Sequence, residues 1–291
     1  MSYYNPIQKE KFIASLDNKK FISNCKSSFK KTKAIEEELG KDLSEFNKDE
    51  ILYMYKNTGY SYGTLATNRY VFMRYTDYVG KVNFYSMVSP KELRDCATEM
   101  ICLSLGDLRE ITSKYVNDVD KAIVYLFFFG LSAYEISTVN EDKIYDKYLF
   151  LTRCTVELPY EVIALIKSAC NCYTYKYFES DIRRSTSNPL DPYSKYMLKK
   201  RLAESDMDGN VTSMLSQRLD GLCKRTKSKK FNMVDLRRSG VVYHLRELQK
   251  AKGCDVDELF HDPAIGKNME QYNYTSAVGV FKHMFKGYLN G

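Results

Sequence analysis

The run Lys121-Ala122-Ile123-Val124-Tyr125-Leu126-Phe127-Phe128-Phe129-Gly130-Leu131-Ser132-Ala133-Tyr134-Glu135-Ile136 is the most apolar stretch of the 291-residue chain. From Ala122 onward it shows no alternation of apolar and polar residues, so it does not read as a half-buried strand. It falls well short of the roughly 18 consecutive apolar residues that a bilayer span needs, and Gly130 interrupts it. A buried helix is the reading that remains, with Glu135 and Ile136 continuing into a further short helix. A second stretch, Val234-Asp235-Leu236-Arg237-Arg238-Ser239-Gly240, follows at a distance of 105 positions counted from Ser132 to Arg237.

Working outward, the first hundred residues read as helices joined by short polar turns. Phe21 to Leu39 ends at Gly40, a residue suited to a helix C-terminus. Asn47 with Glu50 is a capping pair opening a helix that Gly59 closes. Tyr62 to Val79 stops at Gly80, and Ser89-Pro90 opens another helix. Near Leu103 to Asp107 one module hands over to the next, giving expected domains at 1–103 and 104–291. Helices follow at Asp107–Tyr115 and Asp120–Phe129. Tyr148–Leu151 and Thr155–Leu158 are rich in β-branched and aromatic residues and form an expected antiparallel pair. Pro159 opens a helix through Ile166. Tyr173 to Pro192 reads as loop, and Thr212 or Ser213 caps the helix after it. The last helix, Val278 to Leu289, has an apolar stripe that fits either packing within the chain or exchange between subunits. The expected fold class is mainly α with a small antiparallel β-sheet.

The composition excludes several functions. The eight cysteines are scattered with no C-x-x-C pair, and the three histidines have no metal-ligand spacing, so neither a disulfide framework nor a zinc site is expected. Nothing calls for a cofactor. Met1 to Pro6 lacks the basic start and apolar stretch of a secretory signal, so a cytoplasmic location is expected. The formal charge of +7 permits a polyanionic partner without requiring one. Its distribution says more. Between Gln217 and Lys250 stand Arg218, Lys224, Arg225, Lys227, Lys229, Lys230, Arg237, Arg238, Arg246 and Lys250, opposed only by Asp220, Asp235 and Glu247.

Two helix faces carry side chains suited to DNA. On Tyr62–Val79, Leu65, Phe72, Tyr75, Thr76 and Val79 share one face, and Thr67, Tyr70 and Arg74 lie opposite. On the helix after Thr212, Leu215, Leu219 and Leu222 form the buried stripe, and Ser213, Gln217, Asp220 and Lys224 face away. Hydroxyls and a guanidinium reach bases and phosphates, and Gln pairs bidentately with adenine. A solvated helix face is the plain alternative in both cases.

The two opening stretches resemble the two conserved boxes of the tyrosine recombinases, or phage integrases: an apolar helix with Gly-Leu-Arg-x-x-Glu-Leu/Ile, then His-x-Leu-Arg-His/Arg-Ser/Thr. Order and spacing extend the resemblance over nearly the whole chain. It implies a two-domain clamp on duplex DNA, with a helical core-binding-like module followed by a catalytic-like one. The family's chemistry needs a nucleophilic Tyr, two Arg on the phosphate, and His and Lys to move protons. The matching positions here are Ser132 for the first Arg, Val234 for the first His, and Arg153 near the Lys. Only Arg237 keeps its type. The nucleophile is expected about 30 to 35 residues after Arg237; Tyr274 matches the second His position, and counting on from it puts the nucleophile later instead, near His283 to Phe285, where no Tyr stands.

The resemblance therefore implies a DNA binder without recombinase activity. The runs Phe128 to Ser132 and Leu236 to Glu247 are similar to the integrase-like lysogeny repressors of the SPbeta group of temperate Bacillus phages, which silence lytic genes. Lys224, Arg225, Lys229, Arg237 and Arg238 would contact phosphate, and Thr67, Arg74, Ser213 and Gln217 would read a groove of an operator. Arg237 has a structural alternative, as an ion-pair partner of Glu135 or Asp235. Two rivals stand: a divergent active recombinase using Tyr288 or Tyr274, and a protein-interaction adaptor. A homo-oligomer or a small regulatory protein partner stays open.

Overall fold

Reciprocal capping sets many of the helix boundaries. Asn47, Ser89, Ser104, Ser132, Asn232 and Asp255 each accept the backbone N–H three residues on, and the acidic residue there accepts the cap's own N–H. Each pairing satisfies two of the backbone groups that a helix start would leave open. The computed structural model describes residues 3–98, 101–176, 188–200, 210–227, 230–270, 272–273 and 278–289. The chain divides into two units, Met1–Met100 and Ile101–Gly291.

The first unit holds α1 (Pro6–Ala14), α2 (Lys19–Leu39), α3 (Lys48–Asn57), α4 (Tyr62–Val79) and α5 (Pro90–Asp95). Gly40 and Gly80 end α2 and α4 in the left-handed conformation, as their positions in the sequence imply. Phe12, Phe29, Ile51, Leu65, Phe72, Tyr75 and Tyr85 form the core. A buried charged group lies beside it. The Lys9 ammonium meets Glu36 and lies 3.7 Å from Asp42, which also accepts the Tyr75 hydroxyl at 3.1 Å. Burial pushes the Glu36 carboxyl up to about 7, against the opposing pull of Lys9.

The second unit continues with α6 (Leu105–Ser113), α7 (Asp118–Phe128), α8 (Ala133–Ser137), β1 (Ile144–Tyr145), β2 (Tyr148–Phe150), β3 (Thr155–Glu157), α9 (Tyr160–Cys170), β4 (Thr174–Tyr175), β5 (Asn188–Pro189), α10 (Val211–Thr226), α11 (Met233–Lys252), α12 (Val256–His261), α13 (Ala264–Glu270) and α14 (Val278–Leu289). The apolar helix α7 lies at its centre: every residue from Ala122 to Phe129 is buried, and α9 and α11 pack on it. Close approach explains two glycines. A Cβ on Gly240 would stand 1.7 Å from the Phe128 carbonyl oxygen, so only glycine lets α11 lie this near the end of α7. Gly130 has φ 87° and backbone of Tyr272 pressed against it, so a side chain there would be both strained and blocked.

The expected strand pair is present as β2 and β3, with Leu149 opposite Val156. Periodicity did not foretell β1, a two-residue strand that pairs with β2 through Ile144↔Leu149. Tyr173–Pro192 was expected to be loop; its described ends instead pair as β4 and β5. The cap of α10 is Asn210, whose side chain accepts the Thr212 N–H at 3.0 Å, and not Thr212 or Ser213. Asn is at least as good a cap as either, so the helix begins two or three residues earlier than expected. The final helix α14 packs within the chain on α11 and α12, burying Phe285 and Leu289.

Candidate nucleic-acid interface

The α10 face expected to point away from the core does so. Leu215, Leu219 and Leu222 are buried, while Ser213, Gln217, Lys224 and Arg225 are exposed. Lys224 is paired with Asp220 at 2.7 Å, which holds its ammonium above the usual lysine range. Arg225 turns back on its own helix, its Nε donating to the Gly221 carbonyl at 3.1 Å. Arg218 departs from the rest of the basic stretch. It points inward, its Nε 2.6 Å from Asp120 Oδ1, with the Tyr175 ring 4.8 Å from its guanidinium. Tyr175 in turn donates its hydroxyl to Asp120 at 2.9 Å. Lys229 lies outside the described residues.

On α11, Arg237 and Arg238 are half-buried one turn beyond the Asn232 cap. The ion-pair alternative for Arg237 is not what the fold builds. The Glu135 carboxylate is engaged elsewhere, and Asp235 accepts the Asn232 N–H at 3.0 Å. No ion pair joins Arg237 to any carboxylate among the described residues. Arg246, later on the same helix, donates to the Tyr288 carbonyl at 2.6 Å and so holds α14. In the first unit, Thr67, Tyr70 and Arg74 form an exposed row on α4. Arg74 donates to the Tyr70 hydroxyl at 3.2 Å, and the Phe21 ring packs against both.

Two positions that the resemblance matches to catalytic residues, Ser132 and Arg153, make contacts within the chain. Ser132 caps α8: its hydroxyl accepts the Glu135 N–H at 3.2 Å and donates to the Glu135 carboxylate at 2.8 Å. Arg153, in the β2–β3 turn, donates to Glu135 at 3.1 Å and to the Glu270 carbonyl at 2.7 Å. Val234 is 43% exposed in the first turn of α11 and has no group that moves a proton. Asn273, in the left-handed region at φ 55°, donates to the Gly130 carbonyl at 2.6 Å and to Glu135 at 2.7 Å. Burial raises the Glu135 carboxyl, but Ser132, Asn273 and Arg153 together outweigh it and hold the group below its usual range. Glu135 thus ties α8, the β2–β3 turn and the segment after α13 into one knot.

Tyr274 lies outside the described residues, and His283 sits on α14, the helix packed against α11 and α12. Tyr272 is brought against Gly130, just beyond the end of α7. It lies 35 positions after Arg237, inside the expected interval, but the register anchored on Tyr274 passes over it. Its ring stacks on His244 with centroids 3.6 Å apart. Burial pushes the His244 imidazole down to about 3. Sequence reasoning gave no role to Asp120 or Asn273, whose partners are distant in sequence, and set Tyr272 aside as too early for the nucleophile. The eight cysteines are free thiols. Among the described residues no cluster is placed to hold a metal ion, and no helix is long and apolar enough to cross a membrane.

No curated protein matches the chain. Among solved structures it is similar to a XerA recombinase, at 14% identity and a TM-score of 0.38, covering 98% of this chain and 99% of that one. It is also similar to an integrase from mycobacterium phage Brujita, at 13% identity and a TM-score of 0.33, covering 94% and 93%. Two family models match and between them span most of the sequence: the MrpR N-terminal core-binding domain over residues 3–81 and the MrpR C-terminal catalytic domain over residues 102–291. One match falls within each of the two structural units, in the same order, and the chain belongs to the MrpR family.

Proposed function

We propose that the protein binds specific sites on double-stranded DNA and represses transcription there, as a lysogeny repressor does, without cutting the DNA. The observation that carries this reading is the different use of two sets of positions. Those matching the family's catalytic groups are a helix cap (Ser132), a clasp (Arg153) and an apolar residue (Val234), whereas Ser213, Gln217 and the nearby cations are exposed on α10. Losing an oxyanion-binding Arg or a proton-moving His costs a factor of roughly 10² to 10⁴ each in cleavage. Binding to phosphate and base edges needs neither. The two matched families are named for a core-binding domain and a catalytic domain, and the first agrees with a DNA partner. Ser213 and Gln217 on α10 and Thr67 and Arg74 on α4 read the groove; Lys224, Arg225, Arg237 and Arg238 hold phosphate.

Selection of bound genomic fragments by the full chain tests the reading. Enrichment of a few promoter-proximal sites, with affinity falling steeply in salt, is expected. Absence of any sequence-selective enrichment would overturn it in favour of an adaptor. A suicide substrate carrying a selected site addresses cleavage. A covalent adduct that disappears in Tyr272→Phe would make the protein an active recombinase.

A further inference from the structure

The first unit encloses two carboxylates with one ammonium. Lys9 of α1 and Glu36 of α2 have wholly buried side chains, and Asp42, in the segment after α2, is nearly as deep. The Lys9 ammonium lies against Glu36 Oε1, 3.7 Å from Asp42 Oδ2 and 5.3 Å from the centre of the Phe29 ring. With all three groups ionised, one negative charge would stand unmatched out of water, which is costly. A proton on one carboxylate restores the balance. Asp42 is the better-held anion: its Oδ1 accepts the Ser44 N–H at 3.0 Å and the Ser44 hydroxyl at 2.7 Å, and its Oδ2 accepts the Tyr75 hydroxyl at 3.1 Å.

Glu36 is placed to take the proton. Its Oε1 accepts Lys9 and the Leu43 N–H at 3.0 Å, whereas its Oε2 faces the Thr32 hydroxyl at 3.3 Å. That hydroxyl also lies 3.2 Å from the Ser28 carbonyl, so it can donate there and accept from a protonated Oε2. The rise of the Glu36 carboxyl with burial acts in the same direction. Tyr75 and Tyr85, the latter donating its hydroxyl to the Leu43 carbonyl at 3.0 Å, are kept neutral by burial. On the same helix as Lys9, Phe12 packs on Tyr75 and Tyr78 of α4. We propose that α1 is a proton-gated clasp: Glu36 holds a proton while α1 is docked, and losing it loosens α1 from α2 and α4. Freed into water, the carboxyl would return to its ordinary 4.5, so the docked form binds the proton more tightly. Docking is therefore favoured at low pH, weakens as pH rises from about 4.5 towards 7, and is level above. The inference stands whether or not the protein binds DNA.

Amide exchange of the full chain between pH 5 and 8, corrected for the intrinsic exchange rate, is the test. Protection of α1 is expected to fall on the order of 50-fold, most of it below pH 7, while α9 in the second unit stays level. Glu36→Gln, neutral at every pH and still able to donate to Thr32, is expected to hold α1 docked across the range. Three results would overturn the inference. One is a level α1 profile in the wild-type protein. Another is an equal fall in Glu36→Gln, which would put the proton elsewhere. The third is an equal fall across α2, α3 and α4, since the unit would then open as a whole and α1 would be no clasp. If Glu36→Gln fails to fold, the wild-type profile of α1 against α2, α3 and α4 decides alone.

Discussion

Arg218 and Arg237 belong to one basic stretch, and in sequence nothing separates them in kind. In the fold they are opposites. Arg218 lies against Asp120, whose side chain is 1% exposed, and under the ring of Tyr175. Arg237 is half-buried on α11 and has no carboxylate beside it among the described residues. The difference teaches that a count of cations overstates a polyanion-binding surface. An arginine whose helix position is i+3 from a buried leucine stripe can be drawn inside if the opposite helix offers an acid. Arg218 is drawn in by Asp120 at the start of α7; Arg246 is drawn in by a carbonyl of α14. The residues left to meet a phosphate backbone are fewer than the composition implies.

The sharpest way to break that comparison is to remove the acid. Asp120→Ala would leave the Arg218 guanidinium buried without its partner, and a loss of about 3–5 kcal/mol is expected in urea denaturation. A loss below about 1 kcal/mol would place Arg218 with the surface arginines. Next in size is a pH effect at the other buried cation-forming group. His244 titrates near pH 3 when folded and near its ordinary 6.5 when unfolded. Between those values the unfolded chain binds a proton that the folded chain does not, so stability falls as pH drops from about 6.5 towards 3. Up to about 5 kcal/mol is at stake, and His244→Phe, which keeps a ring to stack on Tyr272, should flatten that part of the profile.

On the exposed side the effects are smaller and fall on binding. Arg237→Ala should lower affinity about tenfold on every DNA sequence and reduce the salt slope by roughly one, with unchanged urea midpoint. Gln217→Ala should instead relax selectivity at one base position while leaving the salt slope alone, since a bidentate contact to a base carries no counterion. Lys224→Ala should do less than Arg237→Ala, because Asp220 already neutralises part of its charge. If Lys224 proves the larger of the two, the salt bridge on α10 opens in the complex and the ranking of the two helices reverses.

Much of this architecture was legible because local chemistry sets it. Capping pairs such as Asn47 with Glu50, glycines at Gly40 and Gly80, and the apolar run of α7 declare themselves without tertiary context. The faces of α4 and α10 followed from helical period alone, and Thr67, Arg74, Ser213 and Gln217 are where that period put them. What was not legible depends on partners distant in sequence. Two-residue β1 exists only because β2 offers it an edge. The pairing of Arg218 with Asp120 spans 98 positions and that of Asn273 with Glu135 spans 138. Tyr272 was passed over for a related reason: Tyr274 was matched to the family's second histidine and the nucleophile was counted on from there, whereas the contact of Tyr272 with Gly130 depends on the fold.

Ser132 offers the smallest test and the one closest to the family comparison. At the position that the resemblance matches to a phosphate-binding arginine, this hydroxyl closes the first turn of α8 and braces Glu135, which in turn holds Arg153 and Asn273. Ser132→Ala removes the cap alone, and a loss near 1 kcal/mol is expected. Because the side chain touches only its own chain, DNA affinity measured on the folded protein should not move. A selective loss of DNA binding at unchanged stability would mean that Ser132 still faces the phosphate, as its family position implies. The knot at Glu135 would then be part of the interface and not merely the scaffold behind it.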